Sequence, residues 1–221
     1  MDNNVFIKNE ELKTTSRDQL NIVQNWMTIC FFIYFVIIFI ANFTFSEFSP
    51  ISNIYLNIIF IIAINIASGP FSLGFIGLYI KTIHGEKISA KNLFDGFRNF
   101  LKSFLLMFFL TLLLTLWSLL LIFPGIIKSL GYSMSFYIMY DNPSIKPLEA
   151  IKKSQIMMKG YKFKLFKLYL SFIGWALLMP FTFGLGLFWL CPYIGLSVGN
   201  FYINLKQIQE NNVIGKEQNL V

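Results

Sequence analysis

Residues that could carry out chemistry are scarce in this chain and lie far apart. His84, in the segment KTIHGEK, is its single histidine, and no serine or cysteine nearby completes a nucleophile pattern. One histidine cannot build a zinc site, which takes several ligands. No glycine-rich loop that could cradle a phosphate follows a strand pattern. We therefore predict no catalytic residue, metal site or cofactor. An enzyme is only the third hypothesis, and substitution of His84 or Asp141 would test it through loss of activity.

The acids and cysteines do not form a reactive group at depth either. All 11 acidic residues lie in tails, loops or the ends of apolar segments, whereas ion-coupled transport usually needs carboxylates inside the membrane. Cys30 and Cys191 both lie in apolar runs and are interpreted as small hydrophobic helix residues. Basic residues and uncharged polar residues are therefore the candidates for binding a ligand or partner.

The composition predicts an all-α integral membrane protein. Of 221 residues, 56% are hydrophobic and 13% charged, and the mean hydropathy is +0.62, whereas a soluble domain has about 25% charged residues. So much apolar surface needs lipid as its solvent, and helices satisfy their own backbone there. The abundance of Phe, Ile, Asn and Lys indicates an AT-rich genome, so we place the protein in a bacterial cytoplasmic membrane.

Six apolar segments approach the length of about 20 residues that a helix needs to cross a bilayer. A polar N-terminal tail, residues 1–25, precedes them without a cleavage site, and a C-terminal tail, residues 206–221, follows. A re-entrant pair of segments three and four is the alternative to two full crossings there. The predicted spans are 26–43, 54–80, 104–123, 126–140, 165–183 and 185–205.

The charges favour an even number of spans, with both termini in the cytoplasm. Six spans place all but one of the 18 basic residues on one side, which the positive-inside rule assigns to the cytoplasm. The exception is Lys128, in LLIFPGIIKSLGYSM. It is either a snorkelling side chain at a hairpin tip or a contact to a lipid headgroup, ligand or partner.

Two cytoplasmic loops are predicted to form amphipathic helices. The first begins at Ser89 as an N-cap and repeats apolar residues at α-helical spacing: Leu93, Phe97, Phe100 and Phe104. The second begins with Pro147 in its first turn and stops at Gly160. These helices lie on the inner leaflet with their lysines toward anionic headgroups, or they pack against the bundle, or both.

The second loop helix has two distinct predicted faces. One face carries Ala150, Ile151, Ser154, Met157 and Met158, and the other carries Glu149, Lys152, Lys153 and Lys159, with Ile156 as the exception. Basic residues at such membrane-facing positions are the candidates for binding a lipid or other ligand: Lys128, Lys152, Lys153, Lys159, Lys162, Arg98 and Lys102.

Uncharged polar and small residues suggest a second kind of site. Asn65, Ser68, Gly69 and Pro70 could break span two and free carbonyl groups along a substrate path. Gly195 and Gly199 form a GxxxG pattern, which is typical of helix packing. Packing is the simpler explanation in every case.

Three segments then resemble a known family: FPGIIKSLGYSMSFYIMYDNP, EAIKKSQIMMKGYKFKLFKLYLSFIGW and GLGLFWLCPY. They are similar to the bacterial integral membrane family labelled domain of unknown function 975, over roughly Ile76 to Leu205. That family is distantly similar to the membrane region of some glycerophosphodiester phosphodiesterases. Tyr161 stands where a histidine is common, and Tyr169 where an aspartate is common.

The resemblance implies a multi-helix cytoplasmic-membrane protein and no established activity or catalytic residues. Lys128 falls inside the family-like PGIIK, which favours a role in the fold or in lipid contact. The leading hypothesis is a non-enzymatic protein that acts by binding, as an accessory subunit, a membrane-homeostasis factor or a self-protection factor against membrane-active peptides. The second is a passive or exchange transporter of a lipid or small amphiphile. Predicted partners are anionic inner-leaflet lipids, with a membrane protein, a peptide or a second copy of the chain as further candidates, and no nucleic acid.

Overall fold

The computed structural model describes residues 6–48, 54–120, 122–178, 180–182 and 184–218, and no strand occurs among them. This confirms the all-α prediction for the described residues. Two segments are 3₁₀ helices, Ala90–Asn99, which we call the elbow, and Pro180–Thr182. The α-helices are α1 (Asn9–Phe48), α2 (Ile54–Ile83), α3 (Phe100–Leu120), α4 (Ile122–Tyr132), α5 (Ser135–Asp141), α6 (Pro147–Met157), α7 (Lys162–Leu170), α8 (Ile173–Leu177) and α9 (Leu187–Gln218).

Three helical stretches in the described residues are long and apolar enough to cross a membrane, judged by length and composition: Asn9–Phe43, Ile66–Ile83 and Ala90–Leu119. Only 11% of the most apolar window in the first and 17% in the third is buried within the protein. Apolar surface exposed on this scale indicates contact with another apolar phase. Together these features suggest a membrane protein.

The predicted fourth and fifth spans are not continuous helices. The first divides into α4 and α5, and the second into α7, α8 and a short 3₁₀ turn. A serine hydroxyl donates to a backbone carbonyl at the end of α4 and again at the end of α7. Ser133 donates to Leu130, and Ser171 donates to Leu168. Such bonds compete with the regular hydrogen bonds of an α-helix. Each of the two predicted spans is therefore interrupted at its serine.

The predicted polar tail is largely helical, because α1 begins at Asn9. Its Leu12, Ser16 and Leu20 recur every fourth residue and are buried, so they form one face of the helix. That face packs antiparallel to α9, where the side-chain amide of Asn200 donates to Ser16 and Gln19 at 2.9 and 2.7 Å. The C-terminal helix likewise continues past the predicted end of span six, to Gln218.

The expected break in span two does not occur. Helix α2 continues through Pro70, and it packs along the elbow and α3. A Cβ added at Gly74 would meet the Leu93 carbonyl, and one added at Gly96 would meet the Pro70 carbonyl, both well inside 3.0 Å. The two backbones are therefore in direct contact, and this contact supports the helix where proline has removed a hydrogen-bond donor.

The first loop helix forms where it was predicted but with a different period. Its start is fixed by the backbone N–H of Ser89, which donates to the Asn92 side chain at 2.9 Å. The elbow buries Leu93 and Gly96, which are three residues apart, as 3.0 residues per turn requires. The rings of Phe97, Phe100 and Phe104 do follow one another along one side, but the α-helical period does not hold for the elbow, and Phe100 is exposed.

The second loop helix, α6, begins at Pro147 as predicted and ends at Met157, three residues before Gly160, which has a positive φ of 85°. All five residues predicted to share its apolar face are buried, whereas Lys152, Lys153 and Ile156 are exposed. Ser154 on the buried face accepts from the backbone N–H of Met134 and donates to the Gly131 carbonyl. The helix thus packs against the bundle and satisfies the backbone where α4 ends.

We predict that Gly74→Ala lowers the free energy of unfolding by about 3 kcal/mol or more, because the added methyl group meets backbone that cannot rotate away. Thermal unfolding in detergent, followed by circular dichroism, measures the change. Gly174→Ala is the matched control, since nothing lies within 4 Å of a Cβ there. Equal melting temperatures for both variants would show that the backbones are not in contact.

Candidate functional site

A polar pocket of about 730 Å³ lies where α2, the elbow and α5 meet. Helix α2 supplies Lys81, in its last turn, and the elbow supplies Asp95 and Arg98. Tyr140 and Asp141 come from the end of α5. The pocket is lined by Leu73, Lys81, Asp95, Gly96, Arg98, Asn99, Met139, Tyr140, Asp141 and Pro143.

Both acids of the pocket are already paired. Asp95 accepts from Lys81 Nζ at 3.0 Å and from the side-chain amide of Asn92 at 2.9 Å. Asp141, whose side chain is 22% exposed, forms an ion pair with Lys206 and accepts from the hydroxyl of buried Tyr202 at 2.9 Å. These two carboxylates therefore hold the elbow on α2 and the end of α5 on α9.

Two basic and two acidic residues line the pocket, and two further lysines, Lys102 and Lys206, lie beside it. Within the described part of the chain, the guanidinium of Arg98 has neither an ion pair nor a hydrogen bond to the protein. Lys102 lies beside the pocket, where its Nζ donates to the Pro143 carbonyl. Because Lys81 and Lys206 offset the two acids, Arg98 and Lys102 leave excess positive charge. An arginine fork is suited to a phosphate or carboxylate group.

The described residues contain no cluster of three His, Cys, Asp or Glu side chains that could hold a metal ion. His84 is exposed in the turn after α2, and its backbone N–H donates to the Ile80 carbonyl. Cys30 is buried and Cys191 is half-buried, and both thiols are free.

Of the predicted ligand-binding residues, Arg98 lines the polar pocket and Lys102 lies beside it. Lys128 lies elsewhere, in α4, with its Nζ 4.4 Å from the ring centroid of Trp117 in α3. A half-buried ammonium over an indole face is a favourable cation–π contact. This partner was not predicted, although a lysine and a tryptophan on either side of a Pro-Gly pair are a usable signal.

The remaining predicted lysines lie around α6 and do not reach the polar pocket. Lys152 and Lys159 are exposed, and Lys153 pairs weakly with Glu149 at 3.8 Å. The side chain of Lys162 lies over Gly131, near the end of α4. They form no common binding site with Arg98.

The residues of the predicted substrate path lie within an unbroken helix. The Asn65 side chain is outside the described residues, and Ser68 is half-buried. Gly69 and Pro70 are buried against α3 and the elbow. The predicted packing pair Gly195 and Gly199 lies in α9, facing Tyr79 and Ile83 of α2.

Sequence reasoning missed Lys81, Tyr140, Tyr202 and Lys206, and it considered Asp141 only for an enzyme. The sequence does carry a signal for this cluster. The charged residues lie at the ends of apolar segments, and the predicted topology places those ends on the same side of the membrane. The pairing between them depends on the tertiary contact of α2 with the elbow, which the sequence pattern does not display.

Residues 119–209 match the family model described as protein of unknown function (DUF975). The family resemblance is confirmed over this segment. The DUF975 segment includes Asp141, Tyr202 and Lys206 and excludes Lys81 and Arg98. Residues 76–118, where the resemblance was also predicted, lie outside the match. No curated protein and no solved structure matches the chain. The likeness to the phosphodiesterase membrane region stays a prediction.

We predict that Asp141→Ala lowers the free energy of unfolding by about 1–3 kcal/mol, because it leaves the buried Tyr202 hydroxyl and Lys206 without their acceptor. Chemical or thermal unfolding in detergent provides the measurement. Asp18→Ala, at an exposed position of α1, is the control and should change little. Equal effects of the two substitutions would contradict the role of Asp141 in joining α5 to α9.

Proposed function

We propose that this protein is a non-enzymatic, multi-pass protein of the bacterial cytoplasmic membrane that binds an anionic amphiphile at the polar pocket. The supporting observation is Arg98, whose guanidinium forms no hydrogen bond or ion pair with the described residues, in a pocket whose acids are already paired. An anionic group that enters the pocket would complete the charge balance. The ligand class we favour is a lipid with a phosphate headgroup.

We further propose six crossings with both termini in the cytoplasm. The charge distribution supports this, since an even number of spans leaves Lys128 as the single base on the other side. The composite segments α4–α5 and α7–α8 with the following 3₁₀ turn each contain about 20 residues, the length that a crossing needs. In this topology the polar pocket opens toward the inner leaflet, where anionic lipids supply the ligand.

The charge of the pocket also lets us rank the three candidate binding roles. The excess positive charge in and beside the pocket suits a phosphate headgroup and disfavours a basic peptide, so membrane homeostasis is the first candidate role. An accessory subunit and a self-protection factor follow, each requiring an acidic partner at this site. The transporter hypothesis loses its supporting feature, because α2 has no break at Pro70.

The test is binding of dioctanoyl phosphatidic acid to the full chain in phosphatidylcholine nanodiscs, measured by calorimetry. Arg98→Gln should weaken the affinity about tenfold or more, because it removes a charge-assisted contact. Lys91→Gln is the matched control. Lys91 is an exposed base of the same elbow that does not line the pocket.

An affinity that is unchanged by Arg98→Gln, or that falls equally with Lys91→Gln, would contradict binding at the polar pocket. The second result would indicate attraction by net charge alone.

A further inference from the structure

A second cavity, of about 450 Å³, lies on another side of α2, between α1, α5 and α9. Its volume falls within the range of about 300–1,000 Å³ that is common for ligand pockets. Residues 72, 75, 76 and 79 of α2 line it, whereas residues 73 and 81 line the polar pocket. At 3.6 residues per turn these sets belong to different faces, so the two sites are distinct.

No charged side chain lines this cavity within the described part of the chain. Aromatic rings form much of its wall: Tyr34 meets Phe71 and Phe75 edge-on, with ring centroids 5.1 and 5.6 Å apart. Ser72, Ser133 and several tyrosines add hydroxyl groups. A wall with rings, hydroxyls and no charge suits an uncharged ligand with an apolar body and a small polar group.

Tyr79 provides the decisive observation. It is 7% exposed, and its hydroxyl forms no hydrogen bond with any of the described residues, although it lines the cavity. The ring lies directly over Gly195, so packing fixes its position. The neighbouring Tyr137 donates only a long bond, 3.4 Å, to the Gly195 carbonyl. Buried hydroxyls nearly always have a partner, and the cavity that Tyr79 lines gives a ligand access to this one.

We propose that this cavity binds an uncharged amphiphile, whose carbonyl or hydroxyl oxygen accepts a hydrogen bond from Tyr79 and whose apolar part contacts the aromatic wall. The cavity is bounded by helices that are apolar on their outer surfaces, so the membrane is the source of the ligand. Neutral glycerolipids have the required combination of an oxygen-bearing head and an apolar chain. This inference does not depend on anion binding at the polar pocket.

The test uses dioctanoylglycerol and the full chain in detergent micelles, with binding measured by native mass spectrometry. We expect one saturable site, and Tyr79→Phe should weaken binding about three- to tenfold by removing one hydrogen bond. Tyr132→Phe is the matched control, because Tyr132 is 4% exposed and lines neither pocket. Arg98→Gln should leave dioctanoylglycerol binding unchanged, which separates this site from the polar pocket.

A second measurement covers the case in which Tyr79→Phe does not fold. A diacylglycerol with a photoreactive diazirine in its acyl chain is crosslinked to the wild-type chain, and the labelled peptides are mapped. Labels on residues 71–79 and 191–198 support the cavity. Absence of saturable binding, equal affinity of the Tyr79→Phe and wild-type chains, or labels confined to other segments would overturn the proposal.

Discussion

The backbone contact between α2 and the elbow is the constraint on which the rest of the structure depends. Side chains at Gly74 or Gly96 would occupy the space taken by the carbonyls of Leu93 and Pro70. Glycine at these positions lets two helices approach more closely than side chains allow, as in the packing of membrane helices generally. The contact places Asp95 within reach of Lys81, and it leaves Arg98 at the wall of the pocket.

Helix α2 is consequently shared by two sites of opposite chemistry. One face, with Lys81, meets charged residues from the elbow and α5. Another face, with Tyr79, meets aromatic residues of α1 and the glycine pair of α9. The polar pocket suits the head of an anionic amphiphile, and the aromatic cavity suits an uncharged one. The two proposed sites would therefore take two different classes of membrane lipid.

Sequence patterns predicted the features that depend on local periodicity. The apolar face of α6, its start at Pro147 and the capping position of Ser89 all follow from spacing and residue type. The period of the elbow does not follow from spacing, because Leu93 and Gly96 are buried by a 3₁₀ turn that tertiary packing imposes. The helix at residues 9–25 was missed for a similar reason. Leu12, Ser16 and Leu20 look like a sparse pattern in a polar tail until α9 is present to cover them. Arg98 and Lys102 were predicted as ligand-binding residues, but their acidic neighbours come together only through α2.

We propose that the contact of α2 with the elbow positions Arg98 for an anionic ligand. The most direct measurement is calorimetric titration of dioctanoyl phosphatidic acid into the folded fraction of Gly96→Ala. This substitution alters the backbone contact without removing a charge. We expect an affinity weakened about tenfold, similar to that of a chain without the Arg98 guanidinium. A folded Gly96→Ala protein that binds as tightly as the wild type would contradict it.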